Sequence, residues 1–382
     1  MLRRILTLAV ALPAVLAKRD ASHALVQLQL ARGTTSATYA NETPSSVEAG
    51  TSLSGETVID KIVFIKLHSV GSSTMTSILH HYCELHHKNC FVYPRNVRVG
   101  LTLDPHVLGQ IVSEFTSGHM PALDIWPNHA VMDPSLFDAL IPGNFKTSFF
   151  RLPLDRLVSS FRHGAGAGSV LKVMERLKQN FGVKTCGPAS MSMAKQITAQ
   201  QVDELDLVML TEQYDLSLMM LRRALGWSMF DMMYRRMKRH IADKLVEATF
   251  SLAEYLSKPS SELNTATRRY LEACVGPDDT AVYLHASNKF QQQWENLGPE
   301  GQRTILDELA KFQSARNVLV ECCESKPLDS YCEALGEDNA AWNHRYQKLG
   351  LAYTSMQPNR PAQAAITYGS PCKTLVQSLL VT

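Results

Sequence analysis

Lys61-Ile-Val-Phe-Ile-Lys-Leu-His-Ser-Val-Gly-Ser-Ser-Thr74 is the stretch that decides how this chain folds. Residues 62–65 are apolar and rich in β-branched side chains, which predicts a buried strand. The residues that follow are small and polar, and Gly71 permits a tight turn. Apolar side chains then recur at helical spacing over residues 75–82. We therefore expect a helix to begin near residue 72 or 73, with a serine as its N-cap.

A strand, a small-residue loop and a helix in this order bring backbone N–H groups and a helix N-terminus to one point. Such a point is suited to binding phosphate or sulfate. The stretch has neither the Walker sequence nor the Gly-x-Gly-x-x-Gly of dinucleotide-binding folds, and the missing Walker lysine argues against a small-nucleotide kinase. A purely structural turn is the alternative interpretation.

Two further strand–helix units follow along the chain. Residues 144–150 are predicted to form a strand, and Pro153 suits the first turn of the helix after it. Residues 206–210 predict another strand, and residues 215–225 another helix. Successive units of this kind imply parallel pairing, hence an α/β fold with a parallel sheet flanked by helices. Later segments are mostly helical in pattern: 245–256, 260–273, 286–296 and 299–312.

The composition is that of an ordinary globular protein: 382 residues, 45% hydrophobic and 19% charged. The net charge of +2 gives no electrostatic reason to expect nucleic acid or an acidic membrane as the main partner. Residues 18–56 are rich in Ser, Thr and Ala and are predicted to be a flexible linker. We expect the folded domain at residues 57–325 and an irregular tail at 326–382.

The N-terminus has the layout of a secretory signal peptide. Arg3 and Arg4 precede an apolar run over residues 5–16, and cleavage is expected after Ala17. An uncleaved signal anchor is the alternative. The 8 cysteines are then expected to be oxidised partners, and the spacing of Cys322, Cys323 and Cys332 suggests a locally stapled C-terminal region.

Two residues at the second unit could bind an anion. Arg151, at the end of the predicted strand, could hold a phosphate bidentately, and the Ser159 hydroxyl could add a hydrogen bond from the following helix. The alternative is an arginine paired with Asp155 and a serine facing solvent or a neighbouring helix.

Other candidates lie elsewhere in the chain. His129 precedes the second core strand and could act as a general base, or be a structural histidine. Glu212 could hold a ribose or an arginine, or cap the next helix. A metal site on the helical face that carries His80, Cys83 and His87 competes with solvated side chains.

Taken in order, these stretches resemble the galactose 3-O-sulfotransferase family. Residues 62–82 resemble the family's 5′-phosphosulfate loop and helix, and Asn128-His129 is similar to its Asn-His element. Residues 150–161 resemble its 3′-phosphate segment, and residues 207–218 a further family block.

The resemblance implies a P-loop-like fold, a 3′-phosphoadenosine 5′-phosphosulfate donor and a carbohydrate hydroxyl acceptor, and its scheme requires no metal. Arg151 and Ser159 would hold the 3′-phosphate, and His129 and Lys66 would act in catalysis. The loop residues expected to hold the 5′-phosphosulfate are Lys66, His68, Ser69, Val70, Gly71, Ser72, Ser73 and Thr74.

The resemblance also bears on activity and place of action. The family has a lysine, expected to meet the bridging oxygen of the leaving group, where this chain has Ser69. A catalytically impaired nucleotide- or glycan-binding relative is therefore the alternative. The expected acceptor is galactose of a glycolipid or glycan, and any membrane contact would come from an N-terminal anchor or a lipid acceptor. The expected location is the Golgi lumen or membrane, with secretion as the alternative.

Overall fold

The computed structural model describes residues 58–93, 103–118, 122–164, 192–235, 275–326, 329–337, 339–348, 353–354 and 370–380. The predicted signal peptide and linker, and the helices predicted at 245–256 and 260–273, lie outside these residues. The described strands, in chain order, are β1 (Ile62–Phe64), β2 (Phe91–Val92), β3 (Ile125–Trp126), β4 (Phe145–Phe150), β5 (Leu207–Leu210) and β6 (Tyr353–Thr354). The described helices are α1 (Ser72–His86), α2 (Pro105–Thr116), α3 (Pro134–Leu140), α4 (Pro153–Gly164), α5 (Ala199–Val202), α6 (Tyr214–Leu225), α7 (Pro277–Asn296), α8 (Gly298–Ser325), α9 (Ser330–Gly336), α10 (Asn339–Lys348) and α11 (Pro371–Leu380).

Within the described residues, a parallel sheet runs in the order β3-β1-β4-β5. Ile62 is in register with Ile125 on one side and with Phe145 on the other, and Thr147 of β4 is in register with Leu207. The predicted parallel α/β fold with flanking helices is therefore confirmed. Because β1 and β4 are neighbours, the two turns that follow them leave the same edge of the sheet.

Burial explains why these segments are strands. All three residues of β1 are fully buried, as expected for an inner strand of a parallel sheet covered on both faces. The polar side chains of β4 are satisfied inside the sheet: the Ser148 hydroxyl donates to the Ile65 carbonyl at 2.7 Å, and the Thr147 hydroxyl to the Leu207 carbonyl at 2.9 Å.

The helices agree with the sequence pattern in position and differ in detail. Helix α1 begins at Ser72 with Gly71 at the N-cap, so the prediction of a serine cap is wrong. The Ser72 hydroxyl instead donates to the Leu67 carbonyl at 2.8 Å. Helix α7 begins at Pro277 rather than at residue 286, and α8 continues to Ser325 rather than ending at residue 312.

The C-terminal part of the chain is mostly helical and packs on the core. Helices α9 and α10 contact α1, and α11 contacts α8. Disulfides join Cys322 to Cys372, Cys323 to Cys332 and Cys83 to Cys90. The predicted local staple is confirmed for the Cys323–Cys332 pair. Helices α9, α10 and α11 lie in the segment predicted to be irregular, while the domain boundaries themselves stay predictions.

No helix in the described part of the chain combines the length and the apolar character that crossing a bilayer requires.

Candidate functional site

The loop between β1 and α1 is held in a sharply turned conformation. Ser69 and Gly71 both adopt positive φ, at 62° and 77°. A Cβ atom built on Gly71 would lie 3.1 Å from Cε2 of Tyr214, so the position is crowded as well as left-handed. Glycine therefore suits this turn on two counts, and the turn directs the chain into the N-terminus of α1. The positive end of that helix attracts anions.

Residues after β5 hold this loop in place. The Thr211 hydroxyl lies 2.6 Å from the Val70 carbonyl and 3.0 Å from the Phe150 carbonyl, at the end of β4. The Tyr214 hydroxyl donates to the Gly71 carbonyl at 3.4 Å. The ends of β1, β4 and β5 are thereby linked at one edge of the sheet.

Arg151 lies at this edge, directly after β4. Its Nη1 donates to the Ser69 carbonyl at 3.3 Å, so the guanidinium reaches the first loop. Burial lowers the pKa of Arg151, and the carboxylates of Asp155 and Glu212 oppose that shift. Glu212 accepts a hydrogen bond from the Leu152 N–H at 2.6 Å, a contact that was not predicted, and its carboxylate also interacts electrostatically with Arg151. It thereby ties the start of the Arg151 turn to the end of β5.

Ser159 lies in the second turn of α4 and is buried. On the same helix, Arg156 forms a buried ion pair with Asp279 of α7 at 2.6 Å. Asp279 also accepts from the Ser192 hydroxyl at 2.5 Å and from the Ala194 N–H at 3.0 Å. These contacts fix the helix that carries Ser159.

His129 is buried beside the first loop. Its Nδ1 lies 2.6 Å from the Lys66 carbonyl, and its ring stacks on that of His68 with centroids 4.1 Å apart. A carbonyl oxygen can only accept, so Nδ1 carries the proton and, in the neutral ring, Nε2 is left as an acceptor. The backbone N–H of Lys66 donates to the Asn128 carbonyl at 3.4 Å, which joins the two segments. Lys66 itself is only 2% exposed, so its side chain is enclosed by protein.

Gln196 is a site residue that the sequence analysis missed. Its Nε2 donates to the Lys66 carbonyl at 3.2 Å, and its Oε1 accepts from the His68 N–H at 3.3 Å. It therefore fixes the backbone on both sides of Leu67. Gln196 follows a short 3-10 helix, Met193–Lys195, where no periodic pattern marks it.

The metal site considered as an alternative on α1 lacks its thiolate ligand, because Cys83 is oxidised. Cys83 is bonded to Cys90, so no thiolate is available there. His80 is buried and stacks on Trp342 of α10, with ring centroids 5.5 Å apart. His80 is therefore covered by a C-terminal helix, whereas His87, at the C-cap of α1, is exposed.

Comparison with known proteins gives a consistent set of relatives. The chain is 23% identical to human galactose-3-O-sulfotransferase 3 over 289 residues, which are 69% of this chain and 63% of that protein. It is 24% identical to the bovine galactose-3-O-sulfotransferase 3 over 291 residues, with the same coverage. It is 22% identical to mouse galactose-3-O-sulfotransferase 2 over 302 residues, 71% of this chain and 72% of the relative. No protein-family model matches the chain. The chain is thus a distant relative of the galactose-3-O-sulfotransferases, and its matches with the first two cover less than two thirds of their length.

Proposed function

We propose that this chain, a distant relative of the galactose-3-O-sulfotransferases, transfers a sulfuryl group from 3′-phosphoadenosine 5′-phosphosulfate to a carbohydrate hydroxyl. The observation that carries the proposal is the contact between Arg151 and the Ser69 carbonyl. Because of it, a loop suited to one anion and an arginine suited to another meet at one edge of the sheet. A small molecule with phosphate groups at both ends fits such an arrangement.

The donor would be held at both ends. In this proposal the loop at residues 66–74 and the N-terminus of α1 bind the 5′-phosphosulfate. Arg151 and Ser159 bind the 3′-phosphate. Sulfuryl transfer spreads negative charge over the sulfonyl and leaving oxygens, so positioning and cationic stabilisation supply most of the catalysis, as in phosphoryl transfer.

His129 would be the general base. Its Nδ1–H is engaged by the Lys66 carbonyl, so the lone pair of Nε2 takes the proton of the acceptor hydroxyl. The acceptor oxygen forms a bond to sulfur as the bond from sulfur to the bridging oxygen breaks. Adenosine 3′,5′-bisphosphate leaves with that electron pair, and Lys66 would stabilise the charge on it.

The donor class is tested by thermal shift. Adenosine 3′,5′-bisphosphate should raise the melting temperature, whereas ATP at the same concentration should not, because a ligand bound only by the folded state stabilises it. Stabilisation by ATP alone, dependent on Mg²⁺, would contradict the proposal. Transfer is then measured with radiolabelled donor and a panel of galactosylated glycans and glycolipids. Normal donor binding without transfer to any acceptor would argue against catalysis.

A catalytically impaired binding protein is the second candidate, because Ser69 stands where the family has a lysine. Ser69 uses its carbonyl to hold Arg151, which binding alone would also require. Ser69→Lys separates the candidates. A large gain in transfer would identify the natural chain as impaired, and unchanged transfer would indicate that Lys66 suffices.

We further propose that the protein acts in the secretory pathway, in the Golgi or after secretion. The described disulfides fit an oxidising compartment. N-terminal sequencing of the protein made by secretory cells would test cleavage after Ala17; an intact leader would indicate the anchor.

A further inference from the structure

The C-terminal disulfides form a compact sulfur cluster. The sulfur atoms of Cys323, Cys332 and Cys372 all lie within 4.8 Å of one another, although Cys372 is bonded to Cys322 and not to either of the other two. The cluster joins three elements: Cys322 and Cys323 on α8, Cys332 on α9 and Cys372 on α11. Two disulfides are therefore close enough for a sulfur of one to attack the other.

The four cysteines differ in burial. Cys323, Cys332 and Cys372 are fully buried, whereas Cys322 is only partly buried. An external thiolate must reach the sulfur that it attacks. Cys322 is thus the point of entry, and attack there leaves Cys372 as the departing sulfur, inside the cluster.

We propose that this cluster is a thiol–disulfide relay, in which a dithiol reductant attacks Cys322 and Cys372 passes the exchange on to the buried pair. A thiolate of the dithiol bonds to the Cys322 sulfur, the Cys322–Cys372 bond breaks, and its electron pair leaves on Cys372. The Cys372 thiolate then attacks Cys323 or Cys332, forms a new disulfide and expels the other sulfur as a thiolate. The second thiol of the dithiol releases Cys322 and closes the oxidised reductant. One dithiol is oxidised, and one protein disulfide is reduced.

The relay changes which of the C-terminal helices is joined to α8 by a disulfide. Exchange onto Cys323 keeps α11 linked to α8 and frees Cys332, so α9 loses its covalent link. Helix α9 packs on α1, where the Tyr331 and His81 rings lie 5.3 Å apart. Since α1 begins at the candidate anion loop, reduction at the protein surface would loosen the cover on the helix that supports that loop. The relay itself does not depend on the proposed sulfotransferase activity.

Limited reduction of the intact protein tests the relay. The protein is treated with dithiothreitol, quenched at intervals with N-ethylmaleimide, and mapped as unreduced peptides. We expect alkylated Cys322 together with peptides linking Cys372 to Cys323 or Cys332, before the fully buried Cys83–Cys90 bond opens. Opening of the three described disulfides without any rearranged peptide at any time point would overturn the relay.

A matched pair of variants tests it without a reductant. Cys322→Ala leaves the Cys372 thiol inside the cluster. Peptides that link Cys372 to Cys323 or Cys332 should then be present in amounts within roughly a factor of ten of the native Cys323–Cys332 peptide. Cys372→Ala leaves the Cys322 thiol, whose sulfur is not one of the three, and should keep Cys323–Cys332 alone. A native link alone in Cys322→Ala would overturn the proposal. If that variant does not fold, the limited reduction of the natural protein decides.

Discussion

At the scale of the residue, Gly71 combines a left-handed backbone with a close neighbour. A side chain at its φ of 77° costs about 1–2 kcal/mol, and the Tyr214 ring 3.1 Å from the added Cβ must also move. We expect Gly71→Ala to lower the free energy of unfolding by about 2 kcal/mol or more in denaturant titrations. Gly118→Ala is the matched control, since Gly118 has the same φ and nothing within 4 Å of its added Cβ. Equal losses in the two variants would mean that crowding by Tyr214 contributes nothing.

Arg151 carries the second prediction. Arg151→Ala should weaken the binding of adenosine 3′,5′-bisphosphate by about 10- to 100-fold, because it removes charge-assisted hydrogen bonds. Arg151→Lys keeps the positive charge but lacks the planar guanidinium, so its affinity for adenosine 3′,5′-bisphosphate should lie between those of Arg151→Ala and the natural protein. Calorimetric titration measures both variants, and Arg303→Ala, an exposed arginine on α8, is the control. Binding by Arg151→Ala within twofold of the natural protein would remove Arg151 from the donor site.

The sequence predicts some site residues and not others for a physical reason. Arg151 and the loop around Gly71 each follow a segment whose sequence predicts a strand, so their place at the sheet edge can be inferred from the sequence. Gln196 and Thr211 act by hydrogen bonding to carbonyls of distant segments. Contacts of this kind depend on tertiary packing and leave no periodic signal in the chain.

At the scale of the element, Asp279 connects α7 to α4 and to the segment before Met193–Lys195. Asp279→Ala removes the carboxylate that forms the buried ion pair with Arg156, and should lower the free energy of unfolding by about 3–5 kcal/mol. Asp278→Ala, at an exposed neighbour in the same first helical turn, should cost less than about 1 kcal/mol. The double variant Arg156→Met/Asp279→Leu should be more stable than Asp279→Ala, since it removes both members of the buried ion pair. Similar losses in Asp279→Ala and Asp278→Ala, measured by urea denaturation, would contradict this assignment.

The bounds predicted from the sequence and those in the structure agree for some elements and differ for others. The bounds predicted for β1 and β4 agree with the structure within a residue or two, whereas β3 is not predicted because two residues, Ile125–Trp126, are too few to show a period. The first turn of α7, residues 277–280, has no large apolar side chain, so the start of the helix is marked only by Pro277 and the two acidic residues after it.

At the scale of the whole molecule, the C-terminal helices cover α1 and bury a titratable side chain. His81 is almost fully buried beside Tyr331 of α9. Burial and repulsion from Lys373, His86 and Arg345 together lower the pKa of His81 to about 4. Asp231 acts in the opposite direction. The packing of α9 and α10 on α1 therefore requires a neutral histidine.

This requirement makes stability depend on pH. The ordinary pKa of histidine is near 6.5, so between pH 6.5 and about 4 the unfolded chain binds more protons than the folded chain. The contribution of His81 to stability is thus complete above that range and is lost as the pH falls, by about 2 kcal/mol at about pH 5. His81→Leu should lack this loss. The unfolding free energies of His81→Leu and the natural protein are measured at neutral pH and near pH 5, and the difference between the two proteins is compared. The contributions of the other titrating groups cancel in that difference. His106→Gln, an exposed histidine on α2, should give no such difference. A difference for His81→Leu that does not change with pH would mean that His81 has the same pKa in the folded and unfolded chains, which would contradict its burial under the C-terminal helices.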